Sequence, residues 1–416
     1  MSARLKVAIV GCGVAGSVLG YSLSRRPDVE VVCYERATPD DHSEAGTGLN
    51  VGPNAIKMLD ALEPELARQV VAASYDWLHW TCSDTAGRTI FDFPLSDCAD
   101  RPGIRIRWSE LYRVLRAPLA GVARFGTQVL GVARDPARPA TYAVDYRAAD
   151  GVARRDDGFD LVVATDGRYS ALRPQFAGAW TPRHVASCIF RLLVPDTSGG
   201  LMGDYAWWFN GNRRLLAFKV PPGQVYIAGS FPLPQPGAEI PAADKAPDAM
   251  ARHFYPEAAR PCPEVAWMVE QLTDQHDQIH WARLQETPPL FAAPHDAVLF
   301  LGDSAHGMVP TLGQGATQAV EDACVAAAVI RDALAARAAV AGPPVDLHAI
   351  TAEISRRRLQ RIEWVMALSL EATKAMLPDG EPRRDMGRLR DPEWQGSLTR
   401  LWSVAEPARI LREGTA

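Results

Sequence analysis

The chain has 416 residues, 47% of them hydrophobic, which exceeds one simple domain by length and is ample for a packed core. A formal net charge of -5 with no block of like charges gives no electrostatic footprint for nucleic acid or an anionic membrane, and no window reaches the roughly 18 uncharged apolar residues of a membrane span. Seven cysteines, scattered without CxxC or Cys/His ligand spacing, argue against a disulfide framework and a metal site and fit a reducing cytoplasm.

In chain order, "KVAIVGCGVAG" predicts a buried strand, a tight turn and a helix, and "VEVVCYER" the next strand of a βαβ unit. The glycines at Gly11, Gly13 and Gly16 and the strand ending at Glu35 favour this reading over a removed leader. Near Tyr75 the pattern turns to alternating, aromatic-rich strands, "YDWLHWTC" and "GRTIFDFPL". It returns at "IRIRWSELYRVLRAPL" to a strand leading into a helix. A second alternating region from about Trp180 to His280 includes "YAWWFNGNRRLLAFKV" and the proline-punctuated "FPLPQPG". After the breaker "AGPP", a long segment from Asp346 has helical periodicity, and "RDPEWQGSLTRLW" is expected to pack against the body.

Three stretches converge on one chemistry. In "GCGVAG" the glycines allow a turn, close approach of a pyrophosphate and helix–strand packing, while the helix start offers unpaired N–H groups to phosphate. Glu35, about 20 residues on, is placed to accept hydrogen bonds from an adenosine ribose, a spacing that favours a dinucleotide site over a structural turn. This motif alone does not choose between FAD and NAD(P). In "DLVVATDGRYSALR" a strand runs into Asp166-Gly167, with Ser170 and Arg173 following; a plain turn before a capped helix is the competing reading. In "LFLGDSAHGMVPTLGQGATQAVED", Asp303 ends a strand where it can bond sugar-like hydroxyls, Pro310 tightens the descent, and Gly313 and Gly315 leave N–H groups uncovered at a helix start. A helix start favours negative charge, which the N1–C2 carbonyl edge of a reduced flavin acquires. The ligand these residues predict is an isoalloxazine on a ribityl chain.

Together, in order and separation, the three motifs resemble those of the class A flavoprotein monooxygenases, the para-hydroxybenzoate and salicylate hydroxylase-like family. The resemblance runs to about the long helix after Asp346 and implies an α/β fold. A Rossmann-like FAD-binding domain (1–72, 101–175 and 281–345) is interleaved with an antiparallel-sheet substrate domain (73–100 and 176–280) and followed by C-terminal helices (346–416). It implies FAD held by Gly11, Gly13, Ala15, Gly16, Glu35 and Arg36. It further implies Asp166 near the pyrophosphate, Asp303 on the ribityl chain, and Pro310, Gly313, Gln314, Gly315 and Ala316 at the flavin ring. The chain departs from the family in Ala164-Thr165 before Asp-Gly, in Thr317, and in Trp108 where an arginine is common; Arg107, or Arg105 on the same strand face, is the expected substitute. The implied cycle consumes NAD(P)H and O2, passes through a flavin C4a-hydroperoxide and hydroxylates a small aromatic or N-heteroaromatic ring, including rings that carry a carboxylate. No metal is required, no nucleic acid or membrane partner is implied, and a monomer or homodimer is expected.

Four residues are candidates for the substrate side. Pro310, by the resemblance, borders the flavin ring where the reaction takes place. Asn50 falls where some pyridine-hydroxylating relatives have a basic histidine, and an amide cannot take a proton at neutral pH. Arg214 shares a strand face with Phe218 and would pair with a carboxylate or phenolate, unless Arg213 and Arg214 are a solvated strand end. His79 is the histidine to consider as a base, against a merely hydrogen-bonded strand histidine. Trp207, Trp208 and Phe209 are expected in the sheet core with one at the pocket; His306 is expected to be structural, and "EISRRRLQR" a solvated helix face. Competing functions are oxidation of a larger natural-product ring, a non-oxygenating FAD-dependent isomerase or cyclase, and a redox-silent flavin-binding partner.

Overall fold

The computed structural model describes residues 4–39, 47–340 and 345–403. The breaker at 341–344, Gly46 and the outermost ends of the expected domain ranges lie outside the described residues.

The N-terminal part runs β1 (Leu5–Val10), α1 (Val14–Ser24), β2 (Val29–Tyr34), β3 (Gly48–Val51), α2 (Pro53–Leu62), α3 (Pro64–Ala72), β4 (Tyr75–Trp77), β5 (His79–Asp84), β6 (Thr89–Pro94), β7 (Gly103–Arg107) and α4 (Trp108–Arg116). The middle continues with β8 (Ala123–Arg124), β9 (Gln128–Asp135), β10 (Arg138–Arg147), β11 (Ala153–Phe159), β12 (Leu161–Ala164), α5 (Leu172–Ala177), β13 (Arg183–Pro195), β14 (Tyr205–Asn210), β15 (Arg213–Val220) and β16 (Gln224–Pro232). Then follow α6 (Ala249–Phe254), α7 (Pro263–Asp274), β17 (His280–Glu286), β18 (Val298–Phe300), α8 (Asp303–His306), α9 (Gln314–Val340), α10 (Leu347–Thr373), α11 (Pro382–Gly387) and α12 (Pro392–Trp402).

A parallel sheet in the order β18-β12-β1-β2-β8 brings the ends of the three motif strands side by side. Its central strands are continuous apolar runs because they are covered by α1 and by the small sheet β11-β10-β9, which packs on β1 and β12; Val7, Ala8, Ile9 and Leu161 to Ala164 have no exposed surface. Gly11 leaves β1 at φ +101°, a conformation that L side chains avoid, and a Cβ there would lie 2.4 Å from the Thr165 carbonyl oxygen. That contact sets the close passage of the first motif over the second.

The other large sheet has the order β17-β13-β16-β15-β14-β5-β6. It is mostly antiparallel, but β14 and β5 pair in parallel, so it is a mixed sheet rather than the antiparallel one expected. β17 pairs with β13, which carries this sheet beyond residue 280. Strand β7 does not join the parallel sheet; it pairs with β3 and β4 in a small antiparallel sheet between the two large ones. Tail helix α12 buries Leu398 and Trp402, with the Trp402 ring 5.5 Å from that of Trp77.

Helix α10 corrects the expectation of a solvated basic face. Arg358 is fully buried and Arg361 nearly so. Arg358 donates to Asp322 Oδ1 at 2.7 Å, Glu321 Oε2 at 2.8 Å and Gln318 Oε1 at 2.6 Å; Arg361 donates to Glu321 at 2.7 Å. Burial alone would raise the Glu321 carboxyl, but Arg361 and Arg358 outweigh it and hold the pKa at about 2. The charges sit on the face that α10 turns toward α9, so a pattern of basic residues alone could not distinguish them from a wet surface.

Candidate functional site

Two cavities meet at the carboxyl ends of the parallel strands. The first is a groove lined by Gly11, Gly13, Glu35, Arg36, Tyr112, Arg116, Gly126 to Gly131 and Asp166 to Tyr169. The second, about 820 Å3, runs between the two large sheets and is lined by Asn50, Trp108, Arg214, Asp303, Pro310, Gly313, Gly315 and Ala316 among others. Tyr112, Arg168 and Tyr169 border both, so one elongated molecule can occupy them together.

In the groove, Glu35 is buried at the end of β2 and accepts from the Cys12 N–H at 2.7 Å and the Ala37 N–H at 2.9 Å. A Cβ on Gly13 would meet nothing nearer than 3.8 Å, so this glycine leaves space open at the start of α1. Asp166 takes the Ala171 N–H on Oδ2 at 2.9 Å, while Oδ1 is buried without a partner. Burial raises its pKa, against the hydrogen bonds from Ser170 and the α5 start that lower it. Arg173 is structural: it ties the carbonyls of Ser304, Ala305 and Pro288 together and so fastens the second motif to the third.

In the ring cavity, Asp303 opens α8 with Arg168 at 3.8 Å. A Cβ on Gly315 would find only Asp303 Oδ1, at 3.8 Å, so the start of α9 presents bare backbone. Asn50 packs against Gly313, and its buried Nδ2 has no acceptor among the described residues. The N-terminal turn of α9 is held from behind: Thr317 Oγ1 accepts the Gly52 N–H at 2.9 Å, and Asn54 donates to Glu321 at 2.6 Å. His306 is fully buried and bonds Asp322 at 2.5 Å, the structural role expected of it.

At the far end of the ring cavity lies Arg214, only 2% exposed and therefore not a solvated strand end. Its Nε and Nη1 have no hydrogen-bond partner among the described residues, and its guanidinium lies over Trp207. Burial pulls its pKa below the ordinary arginine value, although arginine stays charged; Tyr205 and Tyr226 stand near it. The Tyr205 phenol is pushed up by burial to about 12.

Several expected site residues stand elsewhere. His79 opens β5 with half its side chain exposed, 3.4 Å from Asp92, and lines neither cavity, so it cannot reach a ring as a base. Arg107 is carried by β7 toward β16, where it donates to Gln224 at 3.2 Å. Arg105 bonds the carbonyls of Asp76, Gly203 and Lys219 and latches the small sheet to the large one. Arg116, one helix further on, is the arginine of this segment at the groove: it donates to the Cys12 carbonyl at 2.8 Å and lies 3.3 Å from Glu35. Gly16 packs under Gly11, Ala15 faces Gly302, and the Gln314 side chain turns to Gln318, so these three support the walls rather than line them. None of Trp207, Trp208 and Phe209 lines the ring cavity; Tyr205 from the same strand does, with Trp108 and Tyr112.

The geometry fits an FAD molecule. Open space at Gly13 and Gly315, the orphaned Asp166 Oδ1 and Asn50 Nδ2, and the continuity of groove and cavity suit a dinucleotide ending in a flat ring. These features define the class, a dinucleotide-binding protein with an aromatic-walled chamber. No family model matches the chain. It is 29% identical over 397 residues (93% of this chain, 92% of the relative) to 3-amino-4-hydroxybenzoate 2-monooxygenase PtmB3 of Streptomyces platensis. It is 30% identical over 337 residues (79% and 81%) to aurachin C monooxygenase/isomerase of Stigmatella aurantiaca. The fold matches that of Klebsiella pneumoniae HpxO complexed with FAD and uric acid, with a TM-score of 0.70, 22% identity and coverage of 99% and 93%. The chain belongs to the class A FAD-dependent aromatic monooxygenases. It is an oxidoreductase. No helix among the described residues is long and apolar enough to cross a membrane, and no group of His, Cys, Asp or Glu among them could hold a metal ion.

Proposed function

We propose that the protein hydroxylates a small aromatic or N-heteroaromatic ring that carries a carboxylate, consuming NAD(P)H and O2. The observation that carries this reading is Arg214, a buried cation at the end of the ring cavity with unpartnered nitrogens. An uncompensated buried charge costs several kcal/mol, which a bound carboxylate offsets. Bound FAD would supply the redox chemistry, with NAD(P)H as the reductant and O2 as the oxidant. One oxygen atom enters the ring and the other leaves as water. Glu35, Gly13 and Asp166 would hold the dinucleotide, and Asp303 with Gly313 to Ala316 the ribityl chain and ring.

The chain's own part is orientation and exclusion of water. Arg214 holds the carboxylate, Asn50 offers an N–H donor beside Gly313, and Pro310 lines the same cavity. No histidine among the described residues lines the ring cavity, and the Asn50 amide takes up no proton. The substrate therefore brings its own electron richness, as a hydroxy or amino substituent. The test is NADH and NADPH oxidation by FAD-loaded protein with hydroxy- and amino-benzoates and pyridine carboxylates, scoring hydroxylated product by mass. Turnover of neutral rings with no gain from the carboxylate would overturn the reading. The likeness to a monooxygenase/isomerase keeps a second reading, oxidation and rearrangement of a larger ring; a product of added oxygen with an altered skeleton would favour it.

A further inference from the structure

The ring cavity holds more positive charge than one carboxylate needs. Its lining cations are Arg168, Arg191, Arg214, Lys245 and Arg283, and its lining acids are Glu239 and Asp303. Both acids are already engaged, Asp303 with Arg168 at 3.8 Å and Glu239 with Arg283 at 2.7 Å. Arg191, Arg214 and Lys245 have no ion pair among the described residues, and the Arg191 Nε is itself a buried donor without an acceptor. Exposed lysines in this position would be screened by water; a buried guanidinium nitrogen is not.

The strand register places the two arginines on one wall. Arg191 on β13 stands opposite Ala228 of β16, and Arg214 on β15 stands opposite Ser230 of the same strand, so both point to the face that Tyr226 shares. Two strand spacings across and two residues along put their Cα atoms roughly 12 Å apart, from which two long side chains can close on the ends of a single six-membered ring. Tyr226 lies on the same face one step further along β16, opposite Leu193 and Phe218. Burial raises its pKa against the pull of Arg191 and Arg214, so it stays a neutral donor within the influence of both guanidiniums.

We infer that the substrate carries two acidic groups on or beside its ring, the inner one held by Arg214 and the outer one by Arg191, with Lys245 adding a further positive charge to the cavity. This rests on the proposed role of Arg214 and narrows the substrate class to aromatic dianions. Arg191 is then the residue that separates diacids from simple benzoates, since loss of either acid leaves one guanidinium uncompensated.

Calorimetric titration of the FAD-loaded protein with benzoate and with benzene-1,2-, 1,3- and 1,4-dicarboxylate tests this. At least one dicarboxylate is expected to bind tenfold or more tightly than benzoate. Arg191→Gln is expected to bring that affinity to within about twofold of the benzoate value, and Arg191→Lys to retain part of the preference. Equal affinity of the wild-type protein for benzoate and all three dicarboxylates would overturn the inference while leaving the carboxylate reading intact, as would a tenfold preference that survives Arg191→Gln. Benzoate binding unaffected by Arg214→Gln would overturn both. Flavin content of each variant reports that it has folded, and should Arg191→Gln fail to retain flavin, the wild-type panel with Arg191→Lys decides.

Discussion

The Arg214 guanidinium carbon lies 4.4 Å from the centre of the Trp207 ring, so the cation rests on an aromatic floor instead of a carboxylate. Cation–π attraction partly offsets the loss of water, and the residue lines the ring cavity. Arg214→Gln is expected to raise KM for carboxylated rings about 10- to 100-fold, the worth of one charge-assisted hydrogen bond, with a smaller change in kcat. Steady-state kinetics with a ring and its decarboxylated analogue check this, because KM for the neutral analogue should move little.

Two glycines should fail in different ways. Gly11→Ala places a Cβ 2.4 Å from a backbone oxygen at φ +101°, and is expected to give little folded protein. Gly315→Ala meets only Asp303 at 3.8 Å, so the apoprotein should fold normally while FAD affinity falls tenfold or more. Melting curves with and without added FAD separate the two.

Asp303 ends the strand of the third motif within the ring cavity, with Arg168 as its nearest cation. Asp303→Ala is expected to be purified with little flavin. Full flavin absorbance in the purified variant would move the ribityl chain elsewhere.

The buried cluster behind α9 sets an acid limit. The Glu321 carboxyl lies near 2 in the fold against an ordinary 4.5, so its ion pairs contribute fully above about pH 4.5 and are lost as pH falls towards 2. Arg358→Met leaves Glu321 and Asp322 short of a partner and is expected to cost about 3–5 kcal/mol at pH 7. Denaturant melts between pH 7 and pH 3 should show the variant losing less further stability on acidification than the wild-type protein.

His79→Ala should leave kcat and KM within about twofold of wild type, because the imidazole lies on an exposed strand start outside both cavities. A large loss of kcat in the variant would restore the histidine as a base.

The dinucleotide half of the site was legible because its chemistry is local. A glycine turn after a strand, an acid at the next strand's end, and Gly-Asp before a helix are short-range patterns whose backbone geometry fixes where they point. Glu35, Asp166, Asp303, Gly313 and Gly315 all reach the two cavities for that reason. The arginines were not legible in the same way. Arg105, Arg107 and Arg116 lie within twelve residues, yet one latches two sheets, one bonds a neighbouring strand and one enters the groove. Their side chains are long, and the partners lie far away in sequence.

The amino-acid sequence by itself determined the three motif turns, their order and the α/β class, since each depends on residues a few positions apart. Only the tertiary structure decided which charges are buried. It set Arg358 and Arg361 against Glu321 inside the protein, left Arg214 without a counter-ion among the described residues at the ring cavity, and put His79 in water. The reason is physical: a charged side chain is read the same on any strand or helix, and its energy depends on dielectric and partners that only packing supplies.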